Sequence, residues 1–225
     1  MPKKRLSDRA AAELMYKVES MDEYYLRLIL GIPSRWRVRK ILKELGNIRG
    51  LEVLDAGCEA GHITIKLAEK GAKVTAIDFI KKPLEKLEEK LKARPKLKKN
   101  VTILQADARK LPFKANLFDV VLAAEVLEHM SNLNSFIDNV SKTIKPNGRL
   151  LITFPNEPLR QKFYPMLTKL GLDASVECDV TLKSYDPEIM EKALKNKFKL
   201  IKRCRLPWWL PITYLMLFKP INKSP

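Results

Sequence analysis

Val53-Leu54-Asp55-Ala56-Gly57-Cys58-Glu59-Ala60-Gly61 is a short apolar run that stops on an acid and opens into a glycine turn. His62 to Lys70 then carries apolar residues at helical spacing, so the stretch predicts strand, turn and helix in succession. The same rhythm continues outward. Lys73 to Ile77, Val101 to Leu104, Val120 to Ala124 and Arg149 to Phe154 are further strand-like runs. Helical patterns over Lys81 to Leu97 and Ser131 to Ile144, and a shorter connection through Pro112, lie between them. Strands alternating with helices predict parallel βαβ units in an open doubly wound α/β sheet. Phe198 to Cys204 and Ile212 to Phe218 predict two late strands, an antiparallel edge on that sheet. Upstream, apolar positions at helical spacing over 8–30 are broken by Gly31-Ile32-Pro33, and a second helical stretch runs from about Ser34 to Leu45. Leu159 to Leu170 and Pro187 to Leu194 also read as helices.

The turn after the first strand invites a test for a dinucleotide site. A Gly-x-Gly-x-x-Gly pattern starting at Gly57 requires glycine at 59 and 62, where the chain has Glu59 and His62. An acid at 59 would also repel a pyrophosphate, so a nicotinamide or flavin nucleotide is the weaker reading. Asp78 ends the second strand, where a carboxylate accepts from both hydroxyls of a ribose. Gln105-Ala106-Asp107-Ala108 follows the third strand, and a carboxylate there can accept from an exocyclic adenine amine. Three strand ends in a row therefore describe an adenosine site without a phosphate site.

At these residues the chain resembles the class I S-adenosylmethionine-dependent methyltransferases. The resemblance rests on Val53–Gly61, on Val74–Asp78, and on Gln105–Ala108 followed by Leu111-Pro112-Phe113. It continues through Phe118-Asp119-Val120-Val121-Leu122-Ala123-Ala124-Glu125-Val126-Leu127-Glu128-His129 and Ile144-Lys145-Pro146-Asn147-Gly148-Arg149-Leu150, and covers about residues 36–155. Val126-Leu127-Glu128-His129 is most similar to the branch that includes ubiquinone and menaquinone biosynthesis methyltransferases. The resemblance implies a Rossmann-like, mostly parallel seven-stranded sheet with an antiparallel C-terminal edge, and S-adenosylmethionine as cofactor. It implies that Asp55, Gly57 and Gly61 surround the methionine end of the cofactor. Asp78 would hold the ribose with Phe79 beside the adenine, and Asp107 would take the adenine amine with help from the Ala108 backbone. Ala124 and Glu125 would lie beside the sulfonium. Glu59 stands where the family usually has glycine, so its side chain points away from the cofactor or its carboxylate meets the cofactor's amino group.

Glu125, Glu128 and His129, at i, i+3 and i+4, are expected to share one helical face. Such a cluster suits a divalent-metal site or a general base, with His129 and Glu128 as the catalytic candidates. Helix capping and a histidine that fixes the loop are the structural reading of the same cluster, and the favoured one. His62 is expected to pack or to touch the cofactor tail. Residues 1–35 form an expected helical extension, a lid or a packing element, in which Tyr16, Tyr24 and Tyr25 suit either role. The methyltransferase domain is expected over 36–220, with a variable acceptor-side insertion at about 156–186. In that insertion Phe163, Tyr164, Met166 and Tyr185 are candidates for a pocket wall or for simple core. Trp208-Trp209 between Pro207 and Pro211 reads as a packed turn or as a wedge for an apolar acceptor or a membrane interface, beside Lys202, Arg203 and Arg205.

Composition bounds the function. The chain has 225 residues, 46% of them hydrophobic, which excludes wholesale disorder. No apolar run reaches the roughly 18–20 residues of a membrane span. Met-Pro-Lys-Lys-Arg is followed by no apolar segment, so no secretory signal is expected; three irregularly spaced cysteines fit a reducing, cytoplasmic setting. Net charge is +17, from 43 Lys and Arg against 26 Asp and Glu. Nucleic acid, acidic headgroups or an acidic substrate would answer that charge, but so would a lysine-decorated surface, since the positive residues are spread along the chain. The Lys81 to Lys99 segment interleaves lysine with glutamate and has no aromatics to stack bases. The favoured expectation is a methyltransferase acting on a small-molecule or lipid-like acceptor. An RNA methyltransferase lacks support from an appended module or an Asn/Asp-Pro-Pro-Tyr/Phe motif after the fourth strand, and a non-catalytic cofactor-binding scaffold is the third reading.

Overall fold

The computed structural model describes residues 32–162, 182–207 and 212–221, together with residues 7, 10 and 13. Helix α1 (Ile32–Leu45) leads into strand β1 (Glu52–Ala56), α2 (His62–Glu69), β2 (Lys73–Asp78), α3 (Lys81–Lys92), α4 (Pro95–Lys98) and β3 (Val101–Gln105). Then come β4 (Phe118–Ala124), a 3-10 turn (Leu127–His129), α5 (Leu133–Thr143), β5 (Ile144–Pro155), α6 (Pro187–Leu194), β6 (Phe198–Leu206) and β7 (Thr213–Pro220). The seven strands form one sheet in the order β3-β2-β1-β4-β5-β7-β6. β1 to β5 pair in parallel, while β7 pairs antiparallel with both β5 and β6. The expected doubly wound sheet with an antiparallel edge is thus what the chain forms, and the last strand in sequence sits inside the edge.

The period of two along each central strand divides the core into two layers. Val53, Val120, Leu122 and Leu151 face Ile41 and Leu45 of α1 and Leu67 of α2. Leu54, Val121, Ala123 and Ile152 face Phe136, Ile137 and Val140 of α5. Burial on both faces explains why these strands are apolar runs rather than alternating ones. The Arg149 guanidinium donates to the Leu45 carbonyl at 2.9 Å, closing the C-terminus of α1 onto β5. Asp119 accepts the Glu52 amide at 2.9 Å and Lys145 Nζ at 2.7 Å, tying the starts of β1, β4 and β5 together. That accounts for Asp119 as a structural acid.

The helix expected over 81–97 is two helices. Pro95 cannot donate to the helical ladder and biases Arg94 out of the helical region, so α3 ends at Lys92 and a single turn restarts at Pro95. α3 buries Leu84, Leu87 and Leu91 and turns most of its lysines and glutamates to solvent, as the charge pattern predicts. Lys86 and Lys90 are half-buried, and Lys90 Nζ donates to the Ala60 carbonyl at 2.8 Å, bracing the glycine turn. At the outer edge, β6 exposes Lys199, Lys202, Arg203 and Arg205, a charged edge that discourages pairing with another sheet. The helix expected over Leu159 to Leu170 is present over 157–162; its remainder, Phe163, Tyr164 and Met166, the Trp208-Trp209 turn, and Tyr16, Tyr24 and Tyr25 lie outside the described residues.

Leu87 is fully buried beneath Gly61, whose position a Cβ would make collide with the Leu87 side chain. Leu87→Ala is expected to destabilise the protein by about 2–5 kcal/mol, read as a lower urea midpoint with an unchanged slope.

Candidate cofactor and acceptor cleft

The chain leaves β3 at one side of the sheet and returns at β4, next to β1, so the helical crossovers part at the carboxyl ends of β1 and β4. A crevice opens there for the reason common to open α/β sheets. Its walls include Asp55, Gly57 and Glu59 after β1, Asp78 and Phe79 after β2, and Asp107 and Ala108 after β3. Ala124 and Glu125 at the end of β4, and His129 beyond them, complete the same cleft. Ten of the twelve residues expected at a site are therefore brought together. Gly61 and Glu128 do not line the cleft. Gly61 instead begins α2 with φ +80°, a backbone conformation that glycine adopts without steric cost.

The turn is anchored to β2. The amides of Gly57 and Cys58 both donate to the Ile77 carbonyl at 2.9 Å, and the Glu59 amide donates to Asp78 Oδ2 at 2.9 Å. Glu59 holds φ +51°, so the non-glycine residue occupies a left-handed conformation that glycine would occupy freely. Gly57 holds φ +76° and a Cβ on it would approach Val126 Cγ2 to 2.5 Å, which binds this position to glycine on two counts. Cys58 is buried and burial pushes its thiol well up, so it is a packing residue and not a nucleophile.

Four of the five carboxylates of the cleft are held in four different ways. Asp55 is fully buried; burial raises its pKa to about 6, against the Thr64 hydroxyl that donates to it at 2.6 Å. Asp78 is also raised by burial, opposed by the amides of Ile80 and Glu59 that donate to its two oxygens. Burial of Asp107 would raise it, but Arg109 outweighs that and holds it low. Glu125 meets Arg37 of α1 at 3.3 Å and Arg160 at 3.8 Å. Beside Asp78, Phe79 is 36% exposed and is one of the few large apolar side chains at the surface, which leaves a ring face at the cleft mouth.

Glu125, Glu128 and His129 do not share a helical face. Glu125 has φ +54°, which ends β4 in a bend, and only one 3-10 turn follows. Glu128 is buried, and burial followed by repulsion from Glu125 raises its carboxyl well above the usual range. Its carbonyl accepts the amides of Leu182 at 3.0 Å and Lys183 at 3.1 Å. Its nearer carboxyl oxygen lies 4.0 Å from His129 Nε2. Glu128 does not line the cleft, and burial disfavours a charge on it. Among the described residues no group of three or more His, Cys, Asp or Glu is arranged to hold a metal ion. His129 remains in the cleft wall, and so does His62. Tyr185 belongs to the core; burial and then the nearby Glu128 push its hydroxyl up to about 12.

Sequence reasoning missed both arginines of the cleft. Arg37 and Arg109 both line it. Arg37 Nε is buried without a hydrogen-bond partner and Glu125 Oε1 likewise, a donor and an acceptor on an ion pair at the end of β4. Arg37 is one of several arginines on α1, and only the packing of α1 against the sheet turns this one inward.

A family model for a methyltransferase domain matches residues 48–203. The chain belongs to that family. The class I resemblance read from the motifs holds with it. This methyltransferase domain is 37% identical over 135 residues to a protein named ubiquinone biosynthesis O-methyltransferase in Rickettsia canadensis, covering 58% of this chain and 54% of that one. It is 33% identical over 126 residues to demethylmenaquinone methyltransferase of Lactococcus lactis, covering 55% and 49%. The chain thus spans about half the length of the curated relatives it matches. In fold it is similar to the PH0226 protein of Pyrococcus horikoshii, with a TM-score of 0.71 at 21% identity over 92% of this chain and 98% of that one. Magnesium protoporphyrin IX methyltransferase of Synechocystis, solved with bound SAH, superposes with a TM-score of 0.74 at 20% identity over 95% and 99%. Among the described residues no helix is long and apolar enough to cross a membrane.

Asp55 gives the methyltransferase domain a pH signature. An acid whose pKa is raised on folding contributes stability below its unfolded pKa, lost as pH rises through the folded value. Between about pH 4 and 6 the protein should therefore lose about 3 kcal/mol relative to Asp55→Asn, which keeps an acceptor for Thr64 without a charge. Urea midpoints of the two proteins across that window check this.

Proposed function

We propose that the protein is an S-adenosylmethionine-dependent methyltransferase that delivers a methyl group in line to a small-molecule or lipid-like acceptor. The observation that carries this reading is the pairing, in one cleft, of Asp78 with the Arg37–Glu125 pair. The first suits a ribose and the second suits a zwitterionic amino-acid tail, while Glu59 in the turn disfavours a pyrophosphate. The residues present fit the cofactor: the buried, unpartnered Arg37 Nε is a donor for a carboxylate, and Glu125 Oε1 an acceptor for an ammonium group. The names of the two relatives, one in ubiquinone biosynthesis and one on demethylmenaquinone, support a quinone-type acceptor.

S-adenosylmethionine supplies, when bound, an electrophilic methyl group and a neutral thioether leaving group. The chain's own work is positional. Asp78, fixed by two backbone amides, holds the ribose hydroxyls. Phe79 covers the base. Arg37 and Glu125 would hold the tail, and His129 stands in the wall of the same cleft. His129 takes the proton when the acceptor is a hydroxyl.

Titration calorimetry with S-adenosylmethionine and S-adenosylhomocysteine, with NAD as the control, tests the cofactor. Both sulfur ligands are expected to bind, and Asp78→Ala to weaken both by about tenfold or more. Arg37→Met is expected to weaken S-adenosylhomocysteine by about tenfold and leave 5′-methylthioadenosine, which lacks the tail, unchanged. Binding of NAD alone would overturn the reading. Once an acceptor is found, His129→Ala should lower turnover on a hydroxyl acceptor by about a hundredfold with cofactor affinity unchanged, and unaltered turnover would remove His129 as the base.

A further inference from the structure

Among the described residues three that are not glycine hold a positive φ: Asn116, Glu59 at +51° and Glu125 at +54°. Asparagine visits that region because its short polar side chain bonds locally; glutamate is not among the residues that do so routinely. Both glutamates stand in the wall of the cleft. Such strain persists only where the surrounding structure over-determines it, and it clusters at functional sites. Glu125 meets Arg37 there. At Glu59 the turn itself does not need the side chain. Its amide donates to Asp78 Oδ2 at 2.9 Å, a bond that glycine would make as well and without the strain. What glutamate adds is a carboxylate in the cleft wall.

That carboxylate joins a surplus. The wall carries five carboxylates against two guanidiniums. Arg109 lies on Asp107 at 2.8 Å and Arg37 on Glu125 at 3.3 Å. Asp55, Asp78 and Glu59 gather instead at the glycine turn. Asp55 accepts the Thr64 hydroxyl and Asp78 accepts two backbone amides, neutral donors that bring no offsetting charge. The buried Cys58 thiol registers their common field: after burial, the charges of Asp55, Asp78 and Glu59, in that order, push it up. In a partly buried cleft such a field is weakly screened and acts on any charge bound there.

We propose that Glu59 sets the charge selectivity of the cleft, raising its preference for a positively charged sulfonium nucleoside over the neutral thioether left after methyl transfer. The proposal rests on reading the cleft as the cofactor site. In the transfer the bond from sulfur to the methyl carbon breaks with its electron pair left on sulfur, and the new bond forms on the acceptor, whose proton goes to the base. The ligand's sulfonium charge is gone and its attraction to Glu59 goes with it. Glu59 thus favours exchange of spent cofactor for fresh.

Calorimetric titration of the full chain with S-adenosylmethionine and S-adenosylhomocysteine, which differ by one methyl group and one positive charge, tests it. Glu59→Gln keeps the side chain's length and removes its charge. It is expected to lower the ratio of the two affinities, sulfonium over thioether, by about fivefold, chiefly by weakening the sulfonium ligand. Glu59→Gly removes the strain together with the charge. It is expected to show the same lowered ratio, and it carries the test if the glutamine variant does not fold. A ratio within about twofold of wild type in the folded variants overturns the proposal, because an equal change for both ligands assigns Glu59 to the shape of the turn alone. Failure of both ligands to bind wild type overturns the cofactor reading itself, which separates the two outcomes.

Discussion

Parallel pairing of β1 with β2 on one side and β4 on the other is the constraint on which the remainder depends. It places the two strands with the least exposed side chains at the centre and makes them apolar on both faces. It also sends the crossovers to opposite sides, so that only the carboxyl ends of β1 and β4 are left open. Every residue of the cleft inherits its place from that gap. The turn after β1 cannot drift, because two of its amides share the Ile77 carbonyl and a third is held by Asp78. A slip of one residue would exchange Val53 with Leu54 between the two core layers and carry Asp55 away from Thr64.

The cleft concentrates acids, and each is reconciled with burial differently. Asp55 yields to desolvation and moves toward neutrality. Asp78 keeps acceptor capacity because backbone amides, rather than a cation, support it. Asp107 is bound by a guanidinium, and Glu125 lies beside two with its Oε1 left unpartnered. These differences matter more than the count of carboxylates. A group held by amides keeps its full negative charge toward the cleft, whereas one paired with arginine has that charge offset. The same logic separates His129 from Glu128. One residue of difference along a 3-10 turn leaves the imidazole in the cleft wall and buries the carboxyl, where desolvation disfavours its charge.

Much of this was legible from residue order. The alternation of apolar runs and helical patterns determined the α/β class, the seven strands and the antiparallel pair at the end, because strand and helix periods are local properties. The acids after β1, β2 and β3 and the glycine turn were legible for the same reason: strand ends in a doubly wound sheet must meet at one edge. Local rules also ended α3, although Pro95 was passed over when the helix was carried to Leu97.

What the sequence could not decide is how groups distant in the chain share one space. Spacing at i, i+3 and i+4 suggested a common face for Glu125, Glu128 and His129, but the positive φ of Glu125 broke the helix that the spacing presumed. Arg37 is one arginine among several until α1 packs on the sheet and turns it toward Glu125. Arg109 is an ordinary surface cation by sequence, two residues from Asp107, and only the folded loop, held by Ser131 and Asn139, bends it back onto that carboxylate. Residue types and periods therefore determined the sheet and the edge at which its site lies. Burial, partner geometry and the sharing of lone pairs, which exist only in three dimensions, decided which of those residues are open to a ligand.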